Sequence, residues 1–192
     1  MQTRMKLADW STGLVSVTDE PLYDDQTIGA SANISLHFFT DIKASVTEAR
    51  TNMTQSGILP GNYINHKVTG IRAQLTDTTP LLLSDVEKFL SKTTYVYKRA
   101  GATIKWGLLR EIFKDPLLLT MAPAVTGSTT LATASFPHLK GSVLALSIAD
   151  IINNGDNFSF DVVYANTTGV STFTNTRLTI YLEGEATKTI VG

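Results

Sequence analysis

The chain contains no cysteine, which excludes disulfide bonds, thiolate metal sites and cysteine nucleophiles. Charge is also scarce, since charged residues make up 17% of the sequence against about a quarter in an average protein. The net charge is -1, and Arg4 and Lys6 are the only cations among the first 40 residues. With no basic arm to neutralise phosphates, we expect no direct nucleic-acid binding.

What the sequence has instead is short runs in which apolar and polar residues alternate. Side chains alternate across a strand, so each run predicts a β-strand with one buried and one polar face. In Asn157–Tyr164, for example, one face carries Phe158, Phe160, Val162 and Tyr164. We predict eight strands: Leu14–Val17, Ala32–Phe39, His66–Leu75, Thr93–Lys98, Ala102–Leu108, Ser142–Ile148, Asn157–Tyr164 and Thr176–Glu183.

The third run changes phase at Gly70. Two sets of opposite parity flank this glycine: Ile64, His66 and Val68 before it, and Ile71, Ala73 and Leu75 after it. A β-bulge at Gly70 would return both sets to the core side, because it adds one residue to one strand of a pair.

Several short segments have the residues of turns and helices. Arg99-Ala100-Gly101 predicts a hairpin, and Pro60-Gly61 has the residues of a type II turn. Ser84-Asp85-Val86-Glu87 matches a capping box and predicts a short helix. The apolar spacing in Leu108–Lys114 predicts a second helix that stops before Pro116.

Strands separated by long loops, without alternating helices, favour an antiparallel sandwich. The predicted fold is all-β: an antiparallel eight-stranded jelly-roll β-sandwich with one or two short helices in loops. An immunoglobulin-like sandwich of about 100 residues would leave much of the chain unexplained. We assign residues 31–192 to a single jelly-roll domain and residues 1–30 to an N-terminal arm that can include an edge strand. Trp10 is a candidate anchor for this arm.

Histidine spacing gives little support for a catalytic or metal site. No two of the three histidines, His37, His66 and His138, have the one-residue spacing of a cupin metal site, although His37 and His66 could meet across a sheet. Nucleophilic catalysis needs a Ser or Thr next to a His and an orienting acid, and no Gly-x-Ser-x-Gly occurs. We predict no enzyme activity, no cofactor and no catalytic or metal-binding residues.

Three carboxylate groups have a structural interpretation as well as a functional one. The segment Asn153–Asn157, with Asp156, offers oxygen ligands for calcium, but its residue types favour a turn. Glu183 and Glu185 share a strand face and are interpreted as a solvent-facing strand end rather than a pair for glycoside hydrolysis. Asp24-Asp25 is interpreted as solvated.

Aromatic residues alternate within the predicted central hairpin. Tyr95, Tyr97 and Trp106 suit one row of the sandwich core or its rim. The alternative interpretation is a sugar-stacking platform, which would make the chain a carbohydrate-binding module.

A longer pattern covers most of the chain from Ala32 to Glu185. The run Thr51-Asn52-Met53-Thr54-Gln55-Ser56-Gly57-Ile58-Leu59-Pro60, followed by His66-Lys67-Val68-Thr69-Gly70-Ile71, resembles major capsid proteins of icosahedral, tailless, mostly membrane-containing bacterial and archaeal viruses. In those proteins a "T-N-x-x-x-x-G-x-L-P" stretch precedes a strand reading roughly "F-x-V-x-G-I". Similar pieces follow at Tyr95–Lys98, Asn157–Asp161 and Leu178–Gly184.

The resemblance implies a single upright jelly roll per chain and a structural function. Such a protein is made in the host cytoplasm and assembles with copies of itself, with or without a second capsid protein, into an icosahedral virion shell. Loops or arms are exchanged within capsomers, and an internal membrane is a further expected partner. The alternative function is a β-sandwich carbohydrate-binding or receptor-binding module of a viral spike or fibre.

Overall fold

The computed structural model describes residues 3–6, 15–40, 50–77, 83–113, 138–166 and 168–189. Trp10 lies outside these residues. The elements are β1 (Thr3–Lys6), β2 (Val15–Asp19), β3 (Leu22–Thr27), β4 (Asn33–Phe38), β5 (Tyr63–Thr76), α1 (Leu83–Lys92), β6 (Thr93–Arg99), β7 (Ala102–Leu108), β8 (His138–Lys140), β9 (Leu144–Asn153), β10 (Phe158–Ala165) and β11 (Arg177–Thr189). Within these ranges, no helix has the length and apolar character needed to cross a membrane.

The strands form two antiparallel sheets that pack as a β-sandwich. The smaller sheet has the order β4-β10-β6-β7. In the larger sheet β11 pairs with β5 on one side. On its other side, β11 pairs with β3 along its first half and with β2 along its second half. The other side of β5 is lined by β8 and β9, and β1 extends the sheet beyond β2.

The order of the strands confirms the predicted jelly roll. Eight strands carry it: β3, β11, β5 and β9 in the larger sheet, and β4, β10, β6 and β7 in the smaller one. Apart from the β6–β7 hairpin, each connection between successive members of this set crosses from one sheet to the other. This is the double-sheet arrangement of a jelly roll.

Each predicted strand has a counterpart, and three strands were not predicted. The missed strands are β1, β3 and β8. The prediction for β9 was displaced, since the strand covers Leu144–Asn153 rather than Ser142–Ile148. Three strands, β1, β2 and β3, lie in the range assigned to an N-terminal arm, and the last two pair with β11. The division of the chain at residue 30 stays a prediction.

The bulge predicted at Gly70 is present. Glu183 is opposite Gly70, whereas the next residue, Gly184, is opposite Val68, so Thr69 is the extra residue of β5. All three apolar residues after the bulge are buried, as are the two inward residues before it: Ile71, Ala73, Leu75, His66 and Val68. The bulge therefore keeps both halves of β5 facing the core.

The prediction that Ile64 shares this face is wrong. A second register shift between Thr187 and Lys188 places Asn65 and Tyr63 opposite them and skips Ile64, whose side chain is exposed. A Cβ atom on Gly184 would collide with the Lys67 carbonyl oxygen, so this position of β11 needs glycine.

Aromatic side chains fill the space between the sheets on the side of the smaller one. The ring of Phe160 is stacked on Tyr95 with a centroid separation of 5.3 Å, and it meets Phe38 edge-on at 6.3 Å. Burying rings of this size contributes strongly to stability, because each removes about 150–250 Å² from water.

The predicted helix α1 is present and closes one end of the core. Its buried Phe89 packs against Phe173, at 5.2 Å between ring centroids. The helix begins at Leu83, one residue before the Ser84 that starts the predicted capping box, and Asp85 lies in its first turn. Its Oδ2 accepts hydrogen bonds from the backbone N–H and hydroxyl of Thr172 at 2.9 and 3.0 Å, which fastens α1 to the loop before β11.

The remaining turn predictions have mixed outcomes. The β6–β7 hairpin is confirmed, with positive φ angles of 49° at Ala100 and 79° at Gly101, as a tight two-residue hairpin requires. The type II turn is wrong, since Tyr63 donates to the Pro60 carbonyl and Pro60 therefore occupies the first position. The second predicted helix is a 3-10 turn over Leu109–Glu111.

Candidate interaction surfaces

The two strand histidines lie in opposite sheets and in different environments. His66, in β5, is fully buried, and its Nε2 is 3.3 Å from the Leu182 carbonyl oxygen. Burial lowers the pKa of His66 to about 4, so this imidazole is neutral at neutral pH. His37 lies on the outer face of the smaller sheet with its side chain 59% exposed. A pocket that joins His37 and His66 is therefore not formed.

The third histidine, His138, begins β8 and is opposite Thr76. Across the described ranges, no three His, Asp or Glu side chains are grouped closely enough to hold a metal ion.

His37 instead belongs to a row of polar side chains that the sequence analysis missed. Its Nδ1 is 2.9 Å from Asp161 Oδ1, and its Nε2 is 3.2 Å from Ser35 Oγ. Lys98 donates to the other Asp161 oxygen at 3.0 Å. The register of β4, β10 and β6 produces this row, because His37 is opposite Asp161, and Asp161 is opposite Val96, which lies two residues before Lys98 on the same face of β6.

The prediction that Asp24 and Asp25 are solvated is wrong. Asp24 is buried and its Oδ2 accepts the Phe39 N–H at 2.8 Å, in a turn where Phe39 has a φ of 68°. Burial raises the pKa of Asp24. Asp25 forms an ion pair with Arg177, whose Nε lies 3.0 and 2.9 Å from the two carboxylate oxygens.

The other two carboxylate groups have structural partners. Asp156 accepts hydrogen bonds from the backbone and side chain of Asn153 at 3.0 and 3.2 Å, as a turn requires. The backbone hydrogen bond from Asn153 lowers the pKa of Asp156. Glu183 accepts a hydrogen bond from Arg72 Nε at 2.6 Å, whereas Glu185 is exposed. Besides these turn contacts, Asp156 Oδ2 lies 3.5 Å from Nη1 of Arg99.

The three aromatic residues of the hairpin do not form one platform. Tyr95 and Tyr97 are buried in the core, where the Tyr97 hydroxyl donates to Asp150 at 2.7 Å. Trp106 lies on the opposite side of the sheet and is 72% exposed. It is beside the half-buried Val96, and the exposed Val163 lies one row away, opposite Thr94. We call Trp106, Val96 and Val163 the face patch.

A second group of exposed apolar residues lies on and just before β9, which pairs with β5 on one side. Val68 is opposite Asp150, whereas Gly70 is opposite Ala145, so four residues of β9 loop out of the ladder. Ile148 lies in this bulge and is 83% exposed. We call Val143, Ile148 and Ile151, which are all exposed, the edge patch.

The first two residues of the polar segment that carries the resemblance form hydrogen bonds with the backbone of β3 and of the residue before it. The Asn52 side chain accepts the Tyr23 N–H at 2.9 Å and donates to the Pro21 carbonyl at 2.8 Å. Thr51 Oγ1 donates to the Tyr23 carbonyl at 2.9 Å, so the Thr-Asn pair fastens β3. Gly57 has a φ of 71°, a conformation that favours glycine.

Comparison of the chain with protein families and with curated proteins finds no family model that matches and no curated sequence that matches. A function for this chain is therefore argued from its fold and from the two patches. The polar row on the smaller sheet is the third feature available to that argument.

Proposed function

We propose that the chain is a structural capsid protein that assembles with copies of itself, with or without a second capsid protein, into an icosahedral virion shell. The observation that carries the proposal is the pair of exposed apolar patches on a jelly-roll sandwich. Trp106 and Ile148, two large apolar side chains, are 72% and 83% exposed. Grouped apolar residues in solvent are typical of surfaces that bind another protein.

The positions of the two patches suit repeated assembly. The face patch lies on the outer face of the smaller sheet, and the edge patch lies on β9 of the larger sheet. A subunit with two different contact surfaces can bind one neighbour through each, and such contacts close into rings when the rotation between copies allows it. A net charge of -1 gives little repulsion between copies.

The sequence supports the same function independently. The segment Thr51–Pro60 and the strand after it resemble capsid proteins of tailless viruses, for which a single jelly roll is expected. An internal membrane and the virion as location follow from this proposal. The proposal also includes no direct genome binding, because the sequence has few cations among its first 40 residues.

The first test is the oligomeric state over a range of concentrations, measured by light scattering and by electron microscopy of negatively stained samples. We expect concentration-dependent assembly with contacts that bury well over about 1,000 Å² per interface. Ile148→Asp in the edge patch should weaken assembly at least tenfold, because a charge cannot be buried cheaply in an apolar contact. Thr27→Asp, an exposed change outside both patches, is the matched control.

A protein that stays monomeric at all concentrations and is absent from particles would contradict the proposal. Equal assembly of the Ile148→Asp and Thr27→Asp variants would remove the edge patch as a contact surface.

One observation favours a second candidate function, the carbohydrate-binding or receptor-binding module. An exposed ring such as Trp106 can stack on a sugar, although Tyr95 and Tyr97 are buried and cannot join it. A glycan array with the unmodified chain tests this function. Binding that Trp106→Ala abolishes would support it, and the absence of any bound glycan would remove it.

A further inference from the structure

The outer face of the smaller sheet brings a hydroxyl, an imidazole and a carboxylate into one hydrogen-bonded chain. Ser35 Oγ is 3.2 Å from His37 Nε2, and His37 Nδ1 is 2.9 Å from Asp161 Oδ1. Each ring nitrogen of the histidine therefore has a different partner. A serine on one nitrogen and a carboxylate on the other is the arrangement that activates serine nucleophiles, and it is recognised by geometry rather than by sequence position.

Strand geometry holds these three groups in place. Ser35 and His37 are two residues apart in β4, so both side chains leave the same face of the sheet. Asp161 is opposite His37 in β10, which pairs with β4 along its whole length. Lys98 of β6 donates to the second Asp161 oxygen at 3.0 Å and fixes the carboxylate from the other side. The group is thus built on three adjacent strands.

Protonation states favour the same assignment. Asp161 is partly buried, which opposes its charge, but the hydrogen bonds from His37 and Lys98 are together stronger and hold its pKa below the usual value. An ionised Asp161 accepts the Nδ1 proton of His37. The Nε2 lone pair is then free to accept the proton of Ser35 Oγ.

The backbone of β4 offers a donor next to the hydroxyl. The Ala32 carbonyl accepts the Asn166 N–H on the β10 side, whereas the His37 carbonyl accepts Gln26 Nε2 from the other side. Backbone groups of successive strand residues point to opposite sides, so the Ser35 N–H shares the direction of the His37 carbonyl. It faces the edge that β4 forms among the described strands and can donate to a developing oxyanion.

We propose that Ser35, His37 and Asp161 form a hydrolytic site for small carboxylic esters. Ser35 Oγ attacks the acyl carbon while His37 Nε2 takes the hydroxyl proton. The ester C–O bond then breaks, and His37 returns that proton to the departing alkoxide, which leaves an acyl group on Ser35. Water attacks this acyl group, gives a proton to His37, and the proton passes back to Ser35 Oγ as the carboxylic acid is released.

The surroundings of Ser35 offer a short acyl chain one apolar contact. Val163 is opposite Ser35 and is exposed, so it provides one apolar contact for an acyl group. Asn33 and Ser35 are themselves exposed, and the site lies on an open face of the sheet. A short acyl ester can lie across this face, whereas a long chain would remain in water.

The test combines hydrolysis of p-nitrophenyl acetate with labelling by a fluorophosphonate, which reacts covalently with activated serines. We expect one label per chain, found on Ser35 by mass spectrometry. Ser35→Ala should abolish the label, and His37→Gln should lower the rate of labelling at least tenfold. Asp161→Asn should lower the hydrolysis rate at least tenfold, because it stabilises the wrong histidine tautomer.

Ser159→Ala is the matched control, since Ser159 lies on the same face of β10 but outside the row. Circular dichroism checks that each variant is folded. A label on another residue, or a Ser35→Ala variant that reacts like the unmodified chain, would overturn the proposal. Its failure is distinguishable from failure of the capsid function, because assembly of Ser35→Ala is measured separately and should be unchanged.

Discussion

The two sheets of the sandwich differ both in regularity and in what their outer faces present. The larger sheet contains two register shifts between β5 and β11, and two charged residues on its outer face, Arg72 and Glu183, are paired with one another. Arg72 donates to Glu183 at 2.6 Å, and its guanidinium carbon lies 3.7 Å from the centre of the Tyr181 ring. The smaller sheet pairs β10 with β4 and β6 without a shift, yet it leaves Trp106 in solvent.

This difference indicates which outer face has its aromatic and charged side chains paired within the chain. On the larger sheet the Tyr181 ring and the Arg72–Glu183 pair contact one another, so this part of the face is satisfied within the chain. On the smaller sheet the largest side chain has little contact with the rest of the fold, and a hydroxyl is held against a histidine. We expect the outer face of the smaller sheet to carry contacts and chemistry that reach beyond the chain, and the larger sheet to reach beyond it through the edge patch on and just before β9.

The largest expected effect is a change at the bulge of the larger sheet. In Gly184→Val the new Cβ collides with the Lys67 carbonyl oxygen, which is backbone and cannot move without disturbing β5. We expect the free energy of unfolding to fall by more than about 3 kcal/mol. Denaturant unfolding measures the change. Gly29→Ala is the control, since no atom lies near its added Cβ, and a loss at Gly29 as large as that at Gly184 would contradict the prediction.

A slightly smaller effect should appear with pH at His66 in the larger sheet. Its folded pKa of about 4 lies below the ordinary value of 6.5, so the unfolded chain binds more protons between these pH values. Stability should therefore fall as the pH is lowered from about 6.5 to about 4, by about 3 kcal/mol from this group. Glu20 and Lys188 are the charged groups that act on this ring.

Unfolding of the unmodified chain and of His66→Leu, measured at several pH values, isolates this contribution, because the carboxylates titrate in both. His37→Gln serves as the exposed control. Parallel pH dependences for the unmodified chain and His66→Leu would show that His66 is not the responsible group.

The smallest expected effect is a change in unfolding free energy at Trp106, which we compare with Tyr181 on the outer face of the larger sheet. Trp106→Ser should change the free energy of unfolding by less than about 0.5 kcal/mol, because the ring is mostly in solvent. Tyr181→Ser should cost about 2 kcal/mol, since it removes contacts with Arg72 and with Tyr23, whose ring centroid is 6.0 Å away. Thermal unfolding at low protein concentration compares the two. A larger loss at Trp106 than at Tyr181 would reverse the comparison.

The fold could be predicted from the sequence wherever alternation was strong. The phase change at Gly70 predicted the bulge because every apolar residue beyond it would otherwise face water. In contrast, β3 was missed because Asp24 and Asp25 interrupt its apolar residues, and only the folded chain provides Phe39 and Arg177 as their partners. The limits of β9 were misplaced because its four-residue bulge disrupts the alternation.

The surfaces could be predicted less well than the strands. The sequence puts Ser35 and His37 on one face, but Asp161 is 124 residues from His37 and joins them only through the register of β10 with β4. Likewise, Tyr95, Tyr97 and Trp106 could not be divided between core and solvent, because the register shift in the β6–β7 hairpin decides which side each ring faces. The proposed hydrolytic site depends on this long-range pairing.

The bulge of β9 has a consequence for how copies can meet at that edge. A strand from another molecule adds to a sheet edge through an unbroken ladder of backbone hydrogen bonds, and this is the route to open-ended fibres. The four residues that loop out between Ala145 and Asp150 interrupt such a ladder halfway along β9. A copy that binds at this edge would therefore dock through side chains such as Ile148 rather than add a strand, which favours contacts of fixed geometry over open-ended fibres.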